Sequence, residues 1–151
     1  MAAQPTTEIE IHSPTVCIVT LRGEHDVASS EAITLALTLA RSYTSVLVDL
    51  GDCAFLDSSV ISVLLLAAKR AREHGGGLEL VVPVEATAVR RTLEISNVQG
   101  SLPFHATRAD GIAGIARPAP ARAAVTLVRA RIAEDVPLDH LAEAEEGRWA
   151  A

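Results

Sequence analysis

Apolar and polar residues alternate along Glu8-Ile9-Glu10-Ile11-His12, the pattern of a half-buried edge strand. Ser13-Pro14 supplies a turn. Val16 to Leu21 follows as a nearly continuous apolar run, as expected of a strand covered on both faces. With so short a turn between them, these two strands are expected to pair antiparallel. Arg22 to Asp26 breaks the run. Ser29-Ser30-Glu31 then offers caps for a helix over Ala32 to Arg41, with Ile33, Leu37 and Ala40 on one face.

Val46 to Leu50 predicts a short buried strand and Gly51 to Leu56 a loop. Asp57-Ser58-Ser59 opens the longest helical pattern, which runs to Glu73 and stops at His74-Gly75-Gly76-Gly77. Leu78 to Val84 reads as another strand. Ala86 to Ser96 reads as a helix with Val89 and Leu93 inward and Arg90 and Arg91 outward. Leu102-Pro103-Phe104 is a candidate short edge strand, and Arg108 to Ala116 a last helix weakened by Gly111 and Gly114.

Strands alternating with helices place the chain in the α/β class, with a mixed sheet whose first pair is antiparallel and the rest mainly parallel. Residues 1–116 make up this unit, and residues 117–151 read as a linker, Arg117-Pro118-Ala119-Pro120, plus a C-terminal tail. In the tail Ala121, Val125, Val128 and Ile132 recur at helical spacing until Pro137 interrupts. A docked helix and a free tail are equally compatible with that pattern, and the apolar face of 121–132 is of a kind that covers a groove.

Composition narrows the function. A chain of 151 residues can bury a core without staples, and with 3% aromatics that core is aliphatic. Net charge is −6, and residues 1–60 hold eight acids against Arg22 and Arg41 alone. Nucleic acid is therefore excluded as the main partner, since phosphate binding needs a basic footprint. An acidic surface suits a basic protein partner. No apolar stretch is long enough for a transmembrane segment, and Met1 to His12 lacks a secretion signal, so a cytoplasmic location is expected.

The two cysteines, Cys17 and Cys53, are expected to stay reduced and buried. No Cys/His pair has metal-ligand spacing, and Asp49, Asp52 and Asp57 read as solvated loop acids. No cofactor is expected. Neither a Gly-x-Ser-x-Gly element nor a phosphate-binding Gly-Lys-Ser/Thr loop is present. The five histidines are scattered, and His25 reads as a surface residue. Enzymatic activity is not expected.

The sharpest local feature is Asp57-Ser58-Ser59, where a loop leaves the carboxyl end of a buried strand and enters a helix, the favoured functional rim of an open α/β sheet. The simplest role there is an N-cap, worth about 1 kcal/mol. A further role is phosphorylation. A helix N-terminus welcomes phosphate through its dipole and free N–H groups, while the added charge beside Asp57 and Asp26 repels a docked partner.

The run Val48-Asp49-Leu50-Gly51-Asp52-Cys53-Ala54-Phe55-Leu56-Asp57-Ser58-Ser59 resembles the phosphorylation-site segment of STAS-domain anti-sigma factor antagonists. Lys69 to Gly76 is similar to the helix end in that family, Leu21-Arg22-Gly23-Glu24-His25-Asp26 to its Gly-Glu-x-Asp segment, and Val89 to Ile95 to its third helix. The matches come in the family's order and cover Glu8 to Ala116. The resemblance implies a four- or five-stranded sheet with helices mainly on one face. It also implies a partner-switching cycle, in which the unmodified domain binds an anti-sigma factor that is also a serine kinase, and a sigma factor is freed. Phosphorylation of Ser58 ends the complex, and a phosphatase resets it. Asp26, Asp57, Ser58, Ser59 and Val60 are the implied partner-binding residues. Val60 stands where the family usually has glycine, which implies that its side chain is directed outward beside Ser58. The alternative is a non-switching STAS docking module of a stress-sensor or lipid-transporter assembly, with Ser58 only capping its helix.

Overall fold

A computed structural model describes residues 4–115. Strands β1 (Thr6–Ile11), β2 (Val16–His25), β3 (Ser45–Asp49), β4 (Cys53–Leu56), β5 (Gly77–Val81) and β6 (Phe104–His105) alternate with helices α1 (Ser30–Leu39), α2 (Ser58–Glu73), α3 (Thr87–Ile95) and α4 (Arg108–Ile115). The sheet runs in the order β1-β2-β3-β5-β6, with β4 paired to the far end of β2. β1 is antiparallel to β2, from Thr6 opposite Arg22 to Ile11 opposite Cys17, and every other pair is parallel. This is the mixed α/β sheet expected from the residue pattern, with six strands rather than four or five.

Strand alternation sorts the aliphatic side chains onto two faces. Cys17, Val19, Leu21, Val46, Val48, Leu78 and Leu80 point into the main core beneath α1, α2 and α3. Val16, Ile18, Leu47 and Val81 point the other way and are covered by Ile115 of α4. Arg108 pins α4 across the second face: it pairs with Asp49 at 2.8 Å and Glu10 at 3.2 Å. Both faces are thus covered, which is why β2 begins as a continuous apolar run and β3 is apolar from Val46 to Val48.

Several sequence expectations are corrected. Arg22 to Asp26 does not break β2, which continues to His25 because Gly23 takes a φ of 86° and the strand bulges there. The predicted loop over Gly51 to Leu56 contains β4, which supplies the parallel partner for that extension. β5 ends at Val81, ahead of Pro83, whose ring has no N–H to give the ladder. The edge strand forms at Phe104–His105 rather than 102–104, since Leu102 is fully buried. Arg90 does not stand free in solvent: its guanidinium lies 5.0 Å over the Phe104 ring and donates to the Val82 carbonyl at 2.6 Å. The tail expectations for residues 117–151 lie outside the described residues.

Candidate functional site

The site forms where β2 and β4 end side by side. His25 lies opposite Leu56 in the parallel pair, so Asp26 and Asp57 leave adjacent strand ends together. The backbone joins them: the Asp57 N–H donates to the His25 carbonyl at 3.2 Å. Asp26 caps a single 3-10 turn, Val27–Ser29, through its Oδ1 and the Ala28 N–H at 2.9 Å. Asp57 caps α2: its Oδ1 accepts the N–H groups of Ser59 at 3.0 Å and Val60 at 3.2 Å. The same oxygen accepts the Ser59 hydroxyl at 2.5 Å.

These bonds set the electrostatics. The Ser59 hydroxyl, foremost, with the Val60, Ser59 and Val27 amides, holds the Asp57 carboxyl below the ordinary carboxylate range despite partial burial. The Val27 amide, from the Asp26 turn, also helps to lower the Asp57 carboxyl. Asp57 is therefore committed to the cap through Oδ1.

Ser58 is the first residue of α2 and is exposed. Its hydroxyl makes no hydrogen bond among the described residues. The expectation that a phosphate here finds free helix amides needs correction, because Ser59 and Val60 already donate theirs to Asp57. The exposed Ser58 side chain stands next to the Asp57 cap.

The structure brings Asp26, Asp57, Ser58 and Ser59 to one surface, but Val60 differs from expectation. Its side chain is 0% exposed and sits in the main core with Ile61 and Leu64. Helical periodicity explains this, since positions 60, 61, 64 and 68 form the inward stripe of α2. The outward placement is thus overturned, and the Val60 side chain does not reach a partner at this surface.

His25 is likewise buried rather than on the surface, at 0% exposure. Its Nε2 lies 2.9 Å from the Arg22 carbonyl, which only accepts, so Nε2 carries a proton and donates. Its Nδ1 is 3.0 Å from the Ser29 hydroxyl. Nδ1 holds the end of β2 to the 3-10 turn while Nε2 folds back onto β2 itself, and neither is available to Ser58 as a base.

Two exposed apolar side chains, Val27 at 69% and Phe55 at 43%, flank the site and escaped the sequence reading. Phe55 was hidden by the assignment of its segment to a loop, and Val27 carries no periodic signal. Among the described residues no group of three His, Cys, Asp or Glu side chains is placed to hold a metal ion, and no helix is long and apolar enough to cross a membrane.

Comparison with known proteins agrees with this architecture. The model of the STAS domain family matches residues 7–111. An anti-sigma factor antagonist from Mycobacterium paratuberculosis superposes with a TM-score of 0.64 at 24% identity, over 76% of this chain and 96% of that one. The anti-sigma factor antagonist SpoIIAA in its unphosphorylated form gives 0.58 at 20% identity, over 71% and 93%. The Bacillus cell fate determinant SpoIIAA in its phosphorylated form gives 0.54 at 18%, over 73% and 99%. At these identities the likeness is one of fold. No curated protein sequence matches the chain.

Proposed function

Because this chain belongs to the STAS domain family, we propose that it is an anti-sigma factor antagonist, a binding protein switched by phosphorylation of Ser58. In this reading the unmodified domain sequesters an anti-sigma factor with serine-kinase activity and frees a sigma factor, and a phosphatase reverses the modification. The proposed partner surface consists of Asp26, Asp57, Ser58 and Ser59, with Val60 supporting it from beneath and Val27 and Phe55 as its apolar contacts.

The observation that carries the proposal is the state of Ser58. It is exposed, unbonded among the described residues, and lies between Asp57 and Ser59, which bond each other across it in the cap. Such a hydroxyl is open to a kinase, and the charge it would receive, about −1.5 to −2, is added beside the carboxylates of Asp57 and Asp26. The cap bonds of Asp57 do not involve the Ser58 side chain, so the fold tolerates the phosphate while a closely docked partner does not. The fold shared with the Mycobacterium paratuberculosis anti-sigma factor antagonist and with SpoIIAA, solved in unphosphorylated and phosphorylated forms, supports the same reading. The locked His25 supports binding rather than catalysis, since a serine nucleophile needs an adjacent base.

The test is capture of the native complex from the source cells, followed by affinity measurements with the partner so identified. Ser58→Ala is expected to bind like the wild type and to take up no phosphate. Ser58→Asp is expected to bind roughly 30- to 1000-fold more weakly, the equivalent of about 2–4 kcal/mol for a charge pressed into an interface. Equal affinities for all three proteins would overturn the switch and favour a constitutive docking module.

A further inference from the structure

An apolar groove of about 660 Å³ opens between α1 and α2, at the opposite end of the strands from Ser58. Leu37, Val46, Leu66 and Leu78 contribute to its lining, and Leu66 is 49% exposed there. Arg41 and Arg70 stand among the lining residues, which include no aspartate or glutamate. A cavity of this size with an apolar floor and a cationic rim fits an occupant that is both apolar and acidic.

The chain carries such a segment. Residues 134–146 hold six acids and no Lys or Arg, interleaved with Val136, Leu138 and Leu141. The preceding stretch, 121–132, has more apolar residues but bears Arg122, Arg129 and Arg131 and no acid, so it would set cations against the rim. α4 lies on the opposite face of the sheet, so the chain has to pass round the strand ends to reach the groove. α4 starts beside Thr20 and Asp49, and Gly114 lies against the ring of His105, which bonds Glu79. Glu79 pairs with Leu47, so α4 descends the sheet toward the end where the groove lies. From Ile115 the chain has residues 116–133 in which to reach the groove, roughly 27 Å even at helical rise and about 60 Å when extended.

We infer that the groove between α1 and α2 is the docking site of this chain's own acidic segment 134–146. Val136, Leu138 and Leu141 fill the apolar floor, and the acids face Arg41 and Arg70. The inference is independent of the switch at Ser58.

The full chain contains its own probes, one tyrosine and one tryptophan. Tyr43 lines the groove, and Trp149 follows the acidic segment by three residues. Docking brings them close, so excitation of Tyr43 is expected to yield Trp149 emission. Two variants should each abolish most of that transfer with an unchanged thermal melt of the folded domain: Leu138→Asp/Leu141→Asp, and Arg41→Glu/Arg70→Glu. Combining Arg41→Glu/Arg70→Glu with Glu143→Arg/Glu145→Arg should restore it. Equal tyrosine emission in the wild type and both variants would overturn the inference. So would transfer that disappears on dilution, which would assign the groove to a second copy. Loss of transfer only in Val125→Asp/Val128→Asp would assign it to residues 121–132.

Discussion

The hydroxyl of Ser59 lies 2.5 Å from the Asp57 carboxylate, and this one bond distinguishes two adjacent serines. Ser59 is committed to the cap; Ser58 is not. Peptide mapping after treatment with the cognate kinase should therefore place phosphate on Ser58 alone. The Ser58→Ala variant should remain unmodified rather than shift the phosphate one residue along. Uptake at Ser59 at a comparable rate would show that the cap does not protect it.

Asp57 predicts an acid-dependent stability. Its folded carboxyl titrates below the ordinary value of 3.8, so its contribution is complete above that value and is lost as pH falls through the folded one. Asp57→Asn keeps an acceptor at the cap, should cost only a few tenths of a kcal/mol at neutral pH, and should flatten the acid limb of a stability–pH curve. Asp57→Ala removes the acceptor and should cost about 1 kcal/mol at neutral pH. An acid limb unchanged in Asp57→Asn would mean that other carboxylates carry it.

Burial sets what was legible in the sequence. The core strands and α2 were readable because runs such as Val46 to Leu50 and the three glycines after His74 each admit one interpretation. Gly76 shows why: a Cβ there would sit 1.8 Å from the Thr44 carbonyl oxygen, so no other residue fits. β4 was not readable, since Cys53 to Leu56 is short and gains its partner only from the bulged end of β2. His25 and Arg90 were misjudged for one reason. Each polar side chain folds back onto a backbone carbonyl, His25 onto Arg22 and Arg90 onto Val82, a contact that hydrophobic periodicity does not report. Proximity of Asp26 to Asp57 followed only from the family resemblance, because thirty residues separate them and the β2–β4 register joins them.

The cysteines predict chemical silence. Both are buried and free, and desolvation raises both thiols, Cys53 to about 11. Cys17 and Cys53 also lie six β2 positions apart in register, roughly 20 Å, well beyond the reach of a disulfide. Iodoacetamide at pH 8 should modify neither thiol in the native chain and both after denaturation. Rapid native labelling of Cys53 would mean that β4 opens readily from β2.

Val60 now predicts the opposite of what an outward side chain would give. It is fully buried in the inward stripe of α2, and its N–H is bonded to Asp57. Val60→Gly loses the burial, about 1.5 kcal/mol or more, and helix propensity, about 1 kcal/mol, so it should destabilise by about 2.5 kcal/mol or more. Val60→Ala keeps the propensity and should lose only the burial, about 1.5 kcal/mol. Neither variant clears space at the surface beside Ser58, so the phosphorylation rate of the folded protein should not rise. A denaturant melt and a rate assay on the same samples check both halves. A loss near 1 kcal/mol in Val60→Gly, together with faster phosphorylation, would place the side chain against the kinase after all and reverse the assignment of the inward stripe.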